Sequence, residues 1–407
     1  MGNIYSKALN KHLNVDRVIG QIEGDNPGPC LIFIGGIHGN ESSGVFALQQ
    51  VMQNLEEKNI AIRGTVIALT GNLRALERSQ RFHQADLNRL WVGKKVEALE
   101  QGTFEPSNED EIQQAELYRI IKNLLLTKTG PFYFFDLHTT SSKSTPFLTV
   151  NDSLLNRKFT QQYPVPMILG IEEFLDGPLL SYINELGYVS FGFESGQHDE
   201  ISSVKNHIAF TYLSLVFSGV VAKESIPFLQ YFKSLGNMTG NIYEIYHQYK
   251  INQDESFVMQ PDFVNFQSIA KGEHLATSNG QPVNAPEHTL IFMPLYQKQG
   301  DDGFFMIRRI RPIYLNLSAL LRKLHVDKVL HYLPGIRRSS GNADTLILNL
   351  KIARFFTKQF LHILGYRSKK KDKTHLTIKS REANSKKKDY KEELWYKTRH
   401  LSKPKLH

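Results

Sequence analysis

The sequence predicts an α/β fold with a largely parallel or mixed central sheet, and three observations carry that reading. Short apolar runs alternate with stretches of helical spacing over residues 1–224. Several of the apolar runs end in polar, chemically capable residues. Beyond residue 225 the pattern changes to short strands separated by Gly-, Asn- and Pro-rich turns, which predicts a smaller β domain over 225–312.

The elements follow in order. Val18 to Ile22 is an edge strand ahead of the turn Asp25-Asn26-Pro27-Gly28. Leu31 to Ile34 is wholly apolar, as suits a strand buried on both faces. Gly35-Gly36-Ile37-His38-Gly39-Asn40-Glu41 turns the chain, and Ser42 and Ser43 open a helix whose Val45, Leu48, Val51, Met52 and Leu55 share one face. Strands are expected at Thr65 to Thr70, Phe132 to Leu137, Phe147 to Val150, Pro166 to Leu169 and Tyr188 to Phe193. Helices are expected at Asp110 to Leu126, Gly177 to Leu186 and Ile201 to Ala222. In the β region the strands fall at Asn241 to Tyr249, Ser256 to Val258, Leu290 to Pro294 and Phe304 to Ile310. Residues 313–365 return to helical spacing, notably Leu346 to Leu364, and predict an appended helical segment.

Composition bounds the class. The chain has 407 residues, 41% of them hydrophobic and 11% aromatic, as in an ordinary globular protein. The single cysteine, Cys30, excludes an intrachain disulfide framework and, with no secretory leader in view, fits a cytoplasmic protein. Ile208 to Ala222 is apolar but too short to span a bilayer. The net charge of +9 is uneven: from Tyr366 onward 15 Lys and Arg face 5 Asp and Glu, so the body is near neutral and residues 366–407 form a basic tail. Its composition predicts disorder, with nucleic acid or an anionic surface as the partner class it would suit and a solvated tail as the plain alternative.

The chemistry gathers at strand ends. His38 and Glu41, three residues apart where a strand gives way to a helix, can face one point, and His138 ends the apolar strand Phe132 to Leu137. Two His and one Glu are the three protein ligands that a catalytic zinc takes while keeping a position open. Asp136 lies two residues before His138 on the same pleat face, as an outer hydrogen-bond acceptor would. Glu194 again closes an apolar strand and is the candidate base. A lone histidine after a strand is commonly a loop residue, and Glu41 alone could be a helix-start carboxylate. Four such groups at three strand ends are harder to ascribe to packing. Arg74, Arg78, Arg81 and Arg89 follow the second inner strand and suit an anionic substrate.

These segments, Gly35 to Glu41, Asn72-Leu73-Arg74-Ala75, Arg81 with Asp86-Leu87-Asn88-Arg89, Asp136-Leu137-His138-Thr139 and Phe193-Glu194-Ser195-Gly196, together resemble the succinylglutamate desuccinylase and aspartoacylase family of the zinc-carboxypeptidase-like superfamily. The resemblance covers about residues 28–310. It implies a zinc-carboxypeptidase-like mixed sheet flanked by helices, and one zinc per chain bound by His38, Glu41 and His138. It also implies Glu194 as general base, Arg81 on the oxyanion, Asn88 and Arg89 on a substrate carboxylate, and Tyr296 reaching in from the β domain. The expected activity is hydrolysis of the amide of a small anionic N-acyl amino acid. A carboxypeptidase acting on short or cell-wall peptides is the nearest rival, and a binding protein acting through the basic tail is a reading of another class. The family's second substrate arginine is missing: no Lys or Arg stands between Lys158 and Lys205, and Asn184 occupies that region.

Overall fold

A computed structural model describes residues 1–398 apart from 237, 340–341, 350, 353–357 and 371–374. Its centre is an 11-stranded mixed sheet. From one edge the strands run Val18–Glu23, Arg63–Thr70, Asn26–Gly35, Phe132–Thr140, Val189–Gln197, Phe147–Val150, Met167–Leu169, Ile242–Lys250, Asp302–Arg309, Thr289–Phe292 and Ser268–Ile269. The four strands from Arg63–Thr70 to Val189–Gln197 pair in parallel, and every residue of Phe132–Thr140 is buried. That double-sided burial is why these strands read as continuous apolar runs and not as alternations.

Helices cover both faces. Ser43–Glu57 and Ile201–Phe217 pack against one side, where Phe33, Phe135, Phe191 and Phe210 share a core, while Glu109–Thr127 and Leu179–Glu185 close a second core around Ile32, Ile34 and Phe134 on the other. Among the described residues no helix is long and apolar enough to cross a membrane. Cys30 is fully buried within the strand Asn26–Gly35 of this sheet, and burial pushes its thiol up to about 12.

The strands expected from a separate small β domain are joined to the central sheet. Ile242–Lys250 runs parallel to Met167–Leu169 and antiparallel to Asp302–Arg309, so one sheet continues from the first 224 residues into this region. A separate three-stranded sheet, Phe257–Met259, His274–Ser278 and Gln281–Asn284, stands beside it. Its hairpin turns at Asn279 and Gly280, both with positive φ, as the Asn-Gly pair in the sequence demands.

The C-terminal quarter departs most from the sequence reading. Within the expected helical segment 313–365, Pro312–Lys323 and Lys358–Ile363 are helical, but Asn342–Asn349 is a strand, and residues 353–357 lie outside the described ones. The run Leu346-Ile347-Leu348 is buried at three successive positions, which a sheet covered on both faces accommodates. Of the tail expected to be disordered, residues 371–374 and 399–407 lie outside the described ones, while Tyr366–Lys370 and His375–Ser380 supply two strands of a four-stranded sheet whose other two are Ile336–Ser339 and Asn342–Asn349. Tyr390 and Trp395 are buried against the central sheet: the Tyr390 hydroxyl accepts from the Val189 amide at 2.9 Å and donates to the Phe132 carbonyl, and Trp395 Nε1 donates to the Tyr133 hydroxyl at 2.9 Å. The segment's lysines are partly used internally, Lys386 on the Tyr188 hydroxyl and Lys387 on Glu382. Lysine-rich composition concealed a few large apolar anchors that are enough to order the chain.

Candidate metal centre

The site begins with the turn after Asn26–Gly35. Gly36 has φ +72°, and a Cβ on Gly39 would sit 2.0 Å from the Ala75 carbonyl carbon, so only glycine lets this turn lie against the loop 75–81. The Gly39 amide donates to the Arg81 carbonyl at 3.1 Å, which ties that loop to the turn. Asn72 caps the helix Leu73–Glu77 by accepting from the Ala75 amide, and its own amide donates to Asp110 Oδ1 at 2.6 Å. Asp110, buried in the first turn of Glu109–Thr127, then accepts from the amides of His83, Gln84 and Ala85. Asp86 accepts from the Asn88 amide and so starts the short turn that presents Asn88 and Arg89. The Asn72 and Asp86 motifs are thus largely scaffolding that aims Arg81, Asn88 and Arg89.

His38, Glu41 and His138 meet. Their ligating atoms all lie within 4.8 Å of one another, and all three side chains are buried. Nδ1 of His38 is 2.8 Å from Glu41 Oε1, and Nδ1 of His138 is 3.2 Å from Oε2. Each ring turns its other nitrogen to a carboxylate: Nε2 of His38 lies 3.2 Å from Asp86, and Nε2 of His138 lies 2.7 Å from Asp136. That carboxylate–imidazole pattern fixes the ring orientation of metal-bound histidines. Glu41 does not act as a helix cap. Its Oε2 accepts from the Thr139 amide at 2.8 Å, and Ser42 precedes the helix without a side-chain cap.

Charge supports the same assignment. Burial opposes ionisation of Glu41 and Asp86, yet the imidazoles, together with Arg81 beside Asp86, hold both carboxyls well below their ordinary range. Burial lowers the His138 pKa, but Asp136 and Glu41 overcome it and drive the value well above normal. Glu41 and Asp136 therefore require positive charge between them, which a bound cation supplies as directly as protonated imidazoles. Two imidazoles and one carboxylate with an open side fit a metal ion.

Glu194 lies beside His138 in sheet register, buried, with Oε2 lacking a hydrogen-bond partner. Burial first, then Glu41 and Asp136, raises its carboxyl to about 8 against the opposing pull of His138 and Arg81. A carboxyl that titrates near neutrality is suited to moving protons. Arg81 reaches Asp86 at 3.1 Å and Glu41 at 3.6 Å. Asn88 accepts from the Leu179 amide through Oδ1, and Arg89 is paired with Asp302 at 3.0 Å. Glu194, Arg81, Asn88, Arg89 and Asp302 line one cavity of about 120 Å³ together with His38, Glu41 and His138.

Tyr296 is not brought in. Its hydroxyl donates to the Gln260 carbonyl at 2.7 Å and accepts from the Phe263 amide at 2.9 Å, while its neighbours Leu295 and Gln297 line the cavity. Asn184 faces Asn156 and Ser190 and not the cavity. The sequence reading also missed His198, Glu172 and Asp302. His198 follows Glu194 by four residues, bonds Thr139 at 2.7 Å, and burial lowers its pKa. Its place just past a site strand was a usable signal, whereas Glu172 and Asp302 enter from elements with no periodic mark.

The fold is thus a mixed α/β sheet flanked by helices, with a buried His-Glu-His group at its strand ends that could hold a metal ion. Residues 27–198 match the family described as the succinylglutamate desuccinylase/aspartoacylase catalytic domain. A succinylglutamate desuccinylase of Photorhabdus laumondii is 26% identical over 139 residues, 33% of this chain and 41% of that protein. One of Pseudomonas paraeruginosa is 30% identical over 112 residues, 28% and 31% of the two chains. The match thus spans about two-fifths or less of these relatives' length. Among solved structures, the succinylglutamate desuccinylase of Vibrio cholerae superposes with a TM-score of 0.55 at 17% identity, covering 72% of this chain and 85% of that one. An aspartoacylase family protein of Mesorhizobium loti gives 0.52 at 15%, covering 76% and 93%. These two likenesses show the fold.

Proposed function

We propose that the chain is a zinc-dependent hydrolase that cleaves the amide bond of a small N-acyl amino acid. The observation that carries this reading is the convergence of His38, Glu41 and His138 with the unpartnered carboxyl of Glu194 in one cavity. The relatives' names, succinylglutamate desuccinylase, support the reaction class. His38, Glu41 and His138 would hold the zinc, which when bound supplies Lewis acidity and a water acidified toward neutral pH. Glu194 takes the proton of the attacking water and delivers it to the leaving nitrogen. The Arg81 guanidinium stabilises the charge that develops on the acyl oxygen. Asn88, whose NH₂ remains after Oδ1 is engaged, grips the α-carboxylate together with Arg89, which exchanges Asp302 for the substrate.

A cavity of about 120 Å³ favours a small substrate over a peptide, since pockets for drug-sized ligands run to roughly 300–1,000 Å³. The test is a panel of N-acyl amino acids and short peptides incubated with the zinc-loaded full chain, beside His38→Ala. Hydrolysis of N-acyl amino acids that disappears in His38→Ala together with bound zinc supports the reading. Cleavage of peptides alone, or unchanged zinc content and turnover in His38→Ala, overturns it.

A further inference from the structure

The cavity's charges do not match a substrate with two carboxylates. Two arginines and no lysine line it, and both face acids already: Arg81 meets Asp86 and Glu41, and Arg89 meets Asp302. His198 lines the same space, but burial favours its neutral form. With Arg81 used on the acyl oxygen and Arg89 on the α-carboxylate, no arginine or lysine among the described lining residues is left for a second carboxylate, in keeping with the missing arginine near Asn184.

What the cavity offers instead is Glu172. It sits in the short turn Ile171–Glu173, is only 2% exposed, and lines the same cavity as the metal trio and Glu194. Its Oε1 is held from behind, 2.9 Å from Arg381 Nε and 3.4 Å from the Asp152 amide. Its Oε2 is buried without a hydrogen-bond partner. Arg381 belongs to an adjoining cavity that shares Asn151, Glu172 and Ser181 with the first, so Glu172 stands on the partition between them. A buried carboxylate oxygen with no donor is costly to leave unfilled. A donor arriving with a ligand removes that cost, and a charged donor does so most effectively.

Resting on the hydrolase reading above, we propose that Glu172 receives a positively charged nitrogen on the substrate's side chain. The substrate class is then an N-acyl derivative of a basic amino acid, its α-carboxylate on Asn88 and Arg89 and its side-chain ammonium on Glu172. Aspartate and glutamate derivatives are disfavoured because their second carboxylate would meet Glu172.

The experiment compares Nα-acetylornithine, Nα-acetylnorvaline and Nα-acetylglutamate with the zinc-loaded full chain, and titrates free ornithine, norvaline and glutamate calorimetrically. Ornithine forms should be favoured over norvaline forms by about ten- to a hundredfold, the range of one charge-assisted hydrogen bond. Glutamate forms should rank last. Glu172→Gln should bring the ornithine-to-norvaline ratio of kcat/KM to within about threefold, mainly through KM, and Glu172→Asp should restore part of it. Should Glu172→Gln fail to fold, calorimetry on the unaltered chain decides. Equal affinity for ornithine and norvaline, or preference for glutamate, overturns the proposal. If acetylated substrates are hydrolysed without preference for charge, the Glu172 subsite fails and the hydrolase reading stands. If none is hydrolysed while ornithine still binds selectively, the subsite stands and the hydrolase reading fails.

Discussion

The Nε2 of His138 lies 2.7 Å from Oδ2 of Asp136, on the ring edge away from the Nδ1 that faces Glu41. This pair fixes which nitrogen is available to a metal and makes it a stronger donor. Asp136→Asn should therefore weaken metal binding by about 10- to 100-fold while the fold is retained. Chelator competition with the purified chain measures it, and an unchanged metal affinity would show that the ring is oriented without Asp136.

Glu194→Gln separates proton transfer from metal binding. Turnover should fall by about 10²–10⁴-fold with metal content unchanged, because the amide is similar in shape but cannot accept the proton. As a base, Glu194 works only when ionised, so kcat/KM should rise with pH along an acid limb. Without metal its carboxyl is raised to about 8. A nearby cation favours the charged form, so in the loaded enzyme the limb should lie below that value. A pH–rate profile of both forms tests this, and an acid limb that persists in Glu194→Gln assigns the ionisation to another group.

Arg89→Ala should raise KM more than it lowers kcat, since the arginine's proposed contact is to a carboxylate remote from the scissile bond. The same change leaves the Asp302 carboxylate, among the described residues, with Gln248 at 2.5 Å as its side-chain hydrogen-bond partner. The double variant Arg89→Ala/Asp302→Asn should accordingly recover stability without recovering KM, read from denaturant unfolding and steady-state kinetics.

Asp152 joins Arg157, Arg322 and Arg381, all with buried side chains, and links the catalytic region to the C-terminal segment. Burial opposes its ionisation, but the three guanidinium groups hold its carboxyl far below the ordinary range. The unfolded chain therefore binds a proton more readily. The stabilisation is complete above the unfolded pKa of roughly 4 and is lost as pH falls toward the folded value. Asp152→Asn should destabilise by about 3–5 kcal/mol at neutral pH. The gap from the unaltered chain should narrow below about pH 4. Urea unfolding at several pH values measures both, and a gap independent of pH would remove the electrostatic explanation.

The central sheet and the metal trio were legible because burial on both faces writes uninterrupted apolar runs, and polar residues that end such runs stand out. Glu194 was legible for the same reason. Tyr296 was placed by resemblance, and its neighbours' side chains, not its own, face the cavity. Glu172 and Asp302 acquire meaning only through partners distant in sequence, Arg381 and Arg89. The described part of residues 366–398 was misread because average composition weighs the fifteen cationic side chains of 366–407 above a few aromatic ones, while folding depends on where those aromatics dock.

Tyr390 and Trp395 bear on the order in which the molecule can be made. Tyr390 bonds the first residues of the two strands that carry His138 and Glu194, across a separation of 258 residues from Phe132. The strands emerge from the ribosome long before their clamp exists. During synthesis the Val189 amide and the Phe132 carbonyl must wait without this partner until the chain has been extended past Tyr390.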